Sequence, residues 1–315
     1  MQSTRGRTAS TARDAIPRFW RDDALPFIEA RSVEDGRCVN YGKHTHQTFS
    51  IGAVTAGQSL YVNGRERRRV GAGTVVIINP EQVHACNPVA GDPGAGDPGA
   101  GDPGGAAWSY RMLHVDASWL AGLQHELGAG DGVDMRAFAT TATTDPVLYR
   151  GLNHLYEALT DAAAEPLRRQ ASAVAFFSEL QRRLDPAPAR PAPASGPIER
   201  AADFIAGNCS APLTLDDICA EVGLSPSYLI RAFAKRYGMT PHAYLVDRRI
   251  RRGQAQLKRG GAIADVALDC GFADQAHFQR SFKRLVAATP GQYRGRSMTR
   301  PDTRRSPPEA RPSRG

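Results

Sequence analysis

The hydrophobic rhythm of the chain changes twice. Between residues 38 and 115, short apolar runs alternate with Gly and Asn: "FSIGAVTAG", "SLYVNGRERRRV", "GAGTVVIINP", "WSYRMLHVD". Runs of this length, rich in Val, Ile and Tyr, predict strands, and Asn63-Gly64 between two of them predicts a hairpin turn. Many short strands with turns between them predict a small barrel or sandwich. From 145 to 184 the spacing becomes helical. "DPVLYRGLNHLYEALTDA" puts Leu148, Leu152, Leu155 and Leu159 on one face, and "EPLRRQASAVAFFSELQRRL" predicts a second helix. From Ile198 to about Arg294 the pattern is helical throughout.

Low-complexity stretches punctuate these segments. "GDPGAGDPGAGDPGG" at 91–105 cannot pack a core and predicts a flexible insert within the β region. "DPAPARPAPASGP" at 185–197 predicts a semi-rigid linker and the main domain boundary. Residues 1–25 read as a disordered arm and 296–315 as a disordered basic tail. The expected division is therefore an N-terminal β domain at 26–140, a helical pair at 141–184, the linker, and an all-α domain at 198–295.

The all-α segment repeats itself. "ICAEVGLSPSYLIRAFAKRYGMTPHAY" from Ile218 overlies "VALDCGFADQAHFQRSFKRLVAATPGQY" from Val266. Ile218, Val222 and Gly223 match Val266, Cys270 and Gly271. Leu229, Arg231, Phe233, Thr240, Pro241 and Tyr244 then match Phe278, Arg280, Phe282, Thr289, Pro290 and Tyr293. Each copy has helix-turn-helix logic. A first helix exits at a Gly, which tolerates positive φ, and Ser225 or Asp274 caps the second helix. Leu229, Phe233 and Tyr237, or Phe278, Phe282 and Leu285, form an apolar stripe. The opposite face carries Ser227, Tyr228, Arg231 and Lys235 in one copy. In the other it carries Gln275, Ala276, His277, Gln279, Arg280 and Lys283. Gln and Arg suit base edges, a small Ala suits a thymine methyl, and Lys suits phosphate. A structural role competes for Arg231 and Arg280, each of which could pair with an acid such as Asp247 or Asp265; simple exposure competes for His277. Between the copies, Pro241 to Lys258 predicts one connector helix capped by Thr240, a rod of about 27 Å at 1.5 Å per residue.

Charge sharpens this picture. Residues 1–195 hold 20 Lys/Arg against 21 Asp/Glu, and residues 196–315 hold 20 against 11. A basic half joined to a near-neutral half predicts a polyanion partner for one half only. The five cysteines, Cys38, Cys86, Cys209, Cys219 and Cys270, are scattered and fit neither a disulfide framework nor a zinc knuckle. No apolar run approaches a membrane span and "MQSTRGRTASTARDAI" lacks a signal-peptide core, so a cytoplasmic, soluble protein is expected.

With these motifs in hand, the basic half resembles the AraC/XylS family of bacterial transcription regulators. "DVALDCGFADQAHFQRSFKRLVAATPGQYR" carries the resemblance most specifically, over about 197–294. It implies seven helices, two of them entering one face of duplex DNA. Gly253, where the family usually has Ala, and Ala287-Ala288, where it often has Gly, are departures. The first predicts a helix weakened by about 1 kcal/mol, and the second leaves the end of the second recognition helix open. The N-terminal half, through "HTHQTFSIGAVTAG" and "VGAGTVVIINPEQVHACNP", resembles the cupin-type effector domain of the same family. That resemblance implies a barrel binding a small-molecule effector, a helical pair that makes a homodimer, and promoter DNA as the target. RNA polymerase is a further candidate partner.

His44, His46, Tyr61, His84 and Trp108 are the expected effector-binding residues, able to hydrogen-bond and stack on an organic molecule. A competing reading comes from the H-x-H of His44 and His46 with His84 on a later strand, which resembles metal-binding cupins. That would make the chain a metal-dependent enzyme with a helical accessory domain. The cupin enzymes want a Glu shortly after the H-x-H, and Gln47, Thr48, Phe49 and Ser50 stand there instead. His114 could substitute as a ligand. The expectation is a regulator without catalytic residues, cofactor or metal.

Overall fold

The computed structural model describes residues 17–37, 39–89, 108–184, 186–187 and 196–295. The expected insert at 91–105, the tail at 296–315 and most of the linker at 185–197 lie outside these residues.

The N-terminal domain is built from two antiparallel sheets. Its strands are β1 (Arg18–Trp20), β2 (Ile28–Val33), β3 (Phe49–Ala56), β4 (Gln58–Asn63), β5 (Glu66–Gly71), β6 (Val75–Ile78), β7 (His84–Pro88), β8 (Ser109–Val115) and the short β9 (Ala142–Thr143). The larger sheet has the order β1-β2-β8-β3-β6-β9, and the smaller β5-β4-β7. The β4–β5 hairpin turns at Gly64-Arg65, with Asn63 paired to Glu66 and Gly64 at φ 59°. Strand β3 is buried on both faces, and period-2 alternation sorts its residues. Phe49, Ile51 and Ala53 face a core shared with three helices. Gly52 and Val54 face an internal cavity between the sheets. The helices covering the outer face are α1 (Ala117–Glu126), α2 (Pro146–Thr160) and α3 (Pro166–Arg183). The heptad-like leucines of α2, Leu148, Leu152, Leu155 and Leu159, all lie in that core.

Residues 17–25 are not a disordered arm. Strand β1 pairs with β2, Trp20 and Leu25 enter the core, and Phe19 packs edge-on against Tyr293 at 5.2 Å. Adjacent strand residues point to opposite faces, so Phe19 and Trp20 can each bury a ring against a different domain.

The C-terminal domain has seven helices among the described residues: α4 (Pro197–Gly207), α5 (Leu215–Val222), α6 (Pro226–Tyr237), α7 (Pro241–Lys258), α8 (Ile263–Asp269), α9 (Gln275–Val286) and α10 (Pro290–Arg294). Helix α5 exits at Gly223 (φ 69°) and the turn after α8 exits at Gly271 (φ 80°). Leu229, Phe233, Phe278 and Phe282 are fully buried, as the apolar stripes require. Asp274 caps α9 by accepting from the His277 amide at 2.7 Å. Ser225 occupies the N-cap of α6 but makes no side-chain cap bond. Pro226, at the first helical position, has no N–H to offer. Thr240 caps the connector α7, accepting from the Ala243 amide. Helix α9 ends at Val286, with Ala287 in the left-handed region at φ 55°. Gly253 does more than weaken α7. A Cβ there would lie 2.8 Å from the Phe278 ring, so the glycine lets α9 approach the connector. No helix among the described residues is long and apolar enough to cross a membrane.

Candidate effector cavity and DNA-facing helices

All five residues expected to hold an effector line the cavity between the sheets, but their polar groups are not equally free. Tyr61 is buried on β4, where its hydroxyl donates to the Ile77 carbonyl at 2.9 Å and accepts from Asn63 at 2.8 Å. Trp108 precedes β8, and its Nε1–H donates to the Gly36 carbonyl at 2.8 Å while its ring stacks on Tyr110. Both therefore offer ring surface and not a spare hydrogen bond.

The histidines differ. His44 and His46 lie two residues apart on an extended segment, which puts both rings on the same side. His44 exchanges both backbone hydrogen bonds with His84, at 3.1 and 3.0 Å. Their rings cluster, with centroids 4.3 Å apart for His44 and His84, 4.8 Å for His44 and His46, and 4.7 Å for His46 and His84. His114 of β8 stands 4.8 Å from His46. His44 Nδ1 donates to the Gly42 carbonyl at 2.8 Å and His84 Nδ1 to the Gln82 carbonyl at 2.9 Å. A carbonyl only accepts, so Nε2 of each of these two rings carries the lone pair. Burial pushes all four imidazoles down: His84 to about 4, His114 to about 3, and His44 and His46 well below the usual range, with neighbouring histidines adding to the effect. They are neutral at neutral pH.

The cavity also contains residues that spacing alone did not single out. Arg31 of β2 is buried and donates to the Tyr41 hydroxyl and, at 2.7 Å, to the Val286 carbonyl. Its Nε has no partner, and no carboxylate lies within ion-pair distance of it among the described residues. Tyr41, Tyr110, Cys86 and Met112 complete much of the lining. The one signal for Arg31 in the sequence is a charge in the middle of the strand run "IEARSV".

The segment from Gly42 to Thr45 has a second face, and it touches the C-terminal domain three times. The Gly42 amide donates to the Arg284 carbonyl at 2.9 Å, in the last turn of α9. Lys43 reaches the Gly238 carbonyl at 3.1 Å, at the end of α6. Thr45 donates its amide and its hydroxyl to Asp247 of α7, at 3.1 and 2.6 Å. Burial pushes the Asp247 carboxyl up, against the pull of these two bonds. Around this contact, Glu81 pairs with Arg248 at 2.5 Å and Arg251 at 2.6 Å, and Glu29 pairs with Lys258 at 2.8 Å. Part of the basic excess of the C-terminal half is thus spent on the N-terminal domain.

The remaining charge points outward. Ser227, Tyr228, Arg231 and Lys235 on α6 are exposed, as are Gln275, Ala276, Gln279, Arg280 and Lys283 on α9. Neither Arg231 nor Arg280 makes an ion pair among the described residues; of the two acids suggested for them, Asp247 is bonded to Thr45, and Asp265 forms no ion pair with either. His277 is half-buried, its ring edge-on to Phe272 at 5.2 Å. Two helix-turn-helix units with exposed basic faces thus follow a domain with an internal cavity.

Sequence comparison agrees with this arrangement. Residues 36–177 match the AraC-like ligand binding domain family, and residues 218–296 match a helix-turn-helix domain family. The chain belongs to the AraC family of transcription regulators. Relatives cover most of its length. An uncharacterised regulator, YbfI of Bacillus subtilis, is 25% identical over 75% of this chain and 81% of its own. The transcriptional activator RhaR of Klebsiella pneumoniae is 24% identical over 82% of this chain and 88% of its own. A solved structure of ToxT from Vibrio cholerae shares the fold, with a TM-score of 0.51 and 13% identity over 85% of this chain and 96% of that one. As an AraC-family member the protein is a DNA-binding regulator with an N-terminal ligand-binding domain, and not an enzyme.

Proposed function

We propose that occupancy of the cavity sets the placement of the two recognition helices on promoter DNA through the segment Gly42–Thr45. One observation carries this reading. His44 and His46 face the cavity, while Gly42, Lys43 and Thr45 bond to α9, α6 and α7 in turn. A ligand that shifts the histidines therefore shifts contacts to both recognition helices and to their connector. An allosteric effect needs such differential contacts between two states.

In this reading α6 and α9 are the DNA-contacting helices. Gln275 and Arg280 read base edges, Ala276 lies against a thymine methyl, and Lys235 and Lys283 bind phosphate. Ser227, Tyr228, Arg231 and Gln279 share the same exposed faces. His277 contributes to helix packing. In the cavity, His44, His46 and His84 meet the polar end of a small-molecule effector, Arg31 balances an anionic group on it, and Tyr61 and Trp108 supply ring walls. The protein acts as a homodimer through α3, on which Leu167 and Val174 sit two turns apart and are exposed. RNA polymerase is the expected partner at the promoter.

The test is a duplex-binding assay, using a site selected by the full chain from a random DNA pool. Thr45→Val touches neither recognition face. It should shift duplex affinity by roughly three- to tenfold, the scale of one ordinary hydrogen bond. Unchanged affinity in a folded variant would remove the coupling.

A further inference from the structure

Three imidazoles converge in the cavity. One ring nitrogen from each of His44, His46 and His84 lies within 4.8 Å of the other two. Two of these rings have Nδ1–H tied to backbone carbonyls, which fixes their tautomer and leaves Nε2 as an acceptor. That is the outer-shell arrangement by which proteins orient imidazole ligands. Two acceptor nitrogens brought together in this way are satisfied by a cation, or by the N–H of the third ring, His46, whose tautomer no hydrogen bond fixes. The scaffold beneath them is fixed, because His44 and His84 are cross-strand partners bonded through both amides. For His46, no ring hydrogen bond is formed within the described residues.

We propose that His44, His46 and His84 bind one divalent transition-metal ion, with a position left for an oxygen ligand from the cavity. The proposal rests on the reading of this cavity as the effector site, and it names the chemistry of that site. Imidazole ligands select zinc, cobalt, nickel, copper or iron over magnesium and calcium, which want oxygen. Metal–nitrogen bonds of 2.0–2.1 Å in a tetrahedral site bring ligand atoms to about 3.4 Å from one another. The present spread, within 4.8 Å, has to close toward that distance when the ion binds. The cavity lining contains no carboxylate, so the open position on the ion is left to an anionic oxygen from outside the protein. The Glu that the enzyme pattern wants is replaced here by Gln47, Thr48, Phe49 and Ser50, which fits a sensing ion and not a catalytic one. Thr45, held between two of the ligands, joins the ion to the connector helix.

The experiment uses the full chain, stripped with chelator and titrated with zinc chloride and cobalt chloride. Bound metal is measured after dialysis, and cobalt also through its visible ligand-field absorption. One equivalent of zinc and a tetrahedral cobalt spectrum are expected, with both lost in His46→Ala and in His84→Ala. Thermal melting checks that each variant still folds. If a variant does not fold, the wild-type cobalt spectrum decides, because intense visible bands report a tetrahedral site and not an ion held loosely at the surface. A folded wild-type chain that takes up no stoichiometric zinc or cobalt overturns the proposal. So does uptake that survives both substitutions. If organic molecules still stabilise the chelator-treated chain, the metal falls while the effector cavity stands. If neither metal nor small molecule raises the melting temperature, the cavity reading falls as well.

Discussion

Single residues carry the sharpest consequences. Gly253 lies against the Phe278 ring, and a Cβ there would be 2.8 Å from it. Gly253→Ala should therefore destabilise the C-terminal domain by about 1 kcal/mol net. Overpacking of about 1–3 kcal/mol outweighs the helix-propensity gain of about 1 kcal/mol. Chemical denaturation checks the sign. Ala287 shows the reverse case. It holds a left-handed conformation at φ 55°, which costs an L-residue roughly 1 kcal/mol. Ala287→Gly should stabilise by up to about 1 kcal/mol, since glycine adopts that region without strain but brings more unfolded-state entropy. At the same scale, Gln275→Ala and Arg280→Ala should each relax base preference at one position, costing about 1–3 kcal/mol on the selected site. A selection repeated with each variant would show whether that position loses its preference.

Elements divide into those that local pattern specifies and those that it does not. Helix α7 has the bounds predicted for the connector, Pro241–Lys258, because Thr240, Pro241 and the apolar spacing all act locally. Helix α1 lies beyond what local pattern predicts. Its cap at Asp116 is a local signal, but the helix is only ten residues long and its apolar positions make no clean stripe. Strand β1 escapes local pattern for another reason. Three residues beside an Arg-rich segment carry too little pattern, and only the presence of β2 and α10 gives Phe19 and Trp20 somewhere to go. Helix α9 carries its own prediction. Lys283 is exposed in its last turn, so Lys283→Ala should weaken binding to all sequences alike and lower the salt dependence by about one counterion. Titration at several salt concentrations measures this.

The whole molecule is held by polar links across the two domains. Among the ion pairs that cross between the domains, Glu29 is the most buried carboxylate. Burial alone would raise its carboxyl, but Lys258 and Arg21 outweigh that and hold it down at about 2, from an ordinary 4.5. A depressed carboxyl stabilises the folded form above its ordinary value and loses that contribution as pH falls toward the folded value. The domain contact should therefore be intact at pH 6 and weaken between about pH 4.5 and 2, and Glu29→Gln should flatten this part of the acid-unfolding curve. The C-terminal cores are built almost wholly from residues after 197, with Phe19 and Val83 as the N-terminal contributions. A fragment of residues 196–295 should fold and bind duplex DNA, more weakly than the full chain, as gel shift and sedimentation would show.

Sequence alone determined the elements whose cause is local: the repeated helix-turn-helix units, their caps and glycine exits, the connector, and the switch from strand to helix spacing. Periodicity, capping and turn chemistry act over a few residues, so they can be read without knowing the fold. It also pointed to His44 and His46, which line the cavity together, because an H-x-H on an extended segment puts both rings on one side. The tertiary structure decided which polar groups are free to act. Arg248, Arg251 and Lys258 look as suited to DNA as Arg231 and Arg280, yet the first three are bound to Glu81 and Glu29 of the other domain. Tyr61 and Trp108 reach the cavity with their hydrogen bonds already used, while Arg31 arrives there buried and without an acid. Such assignments depend on partners tens to hundreds of residues away, and chain spacing carries no record of those distances.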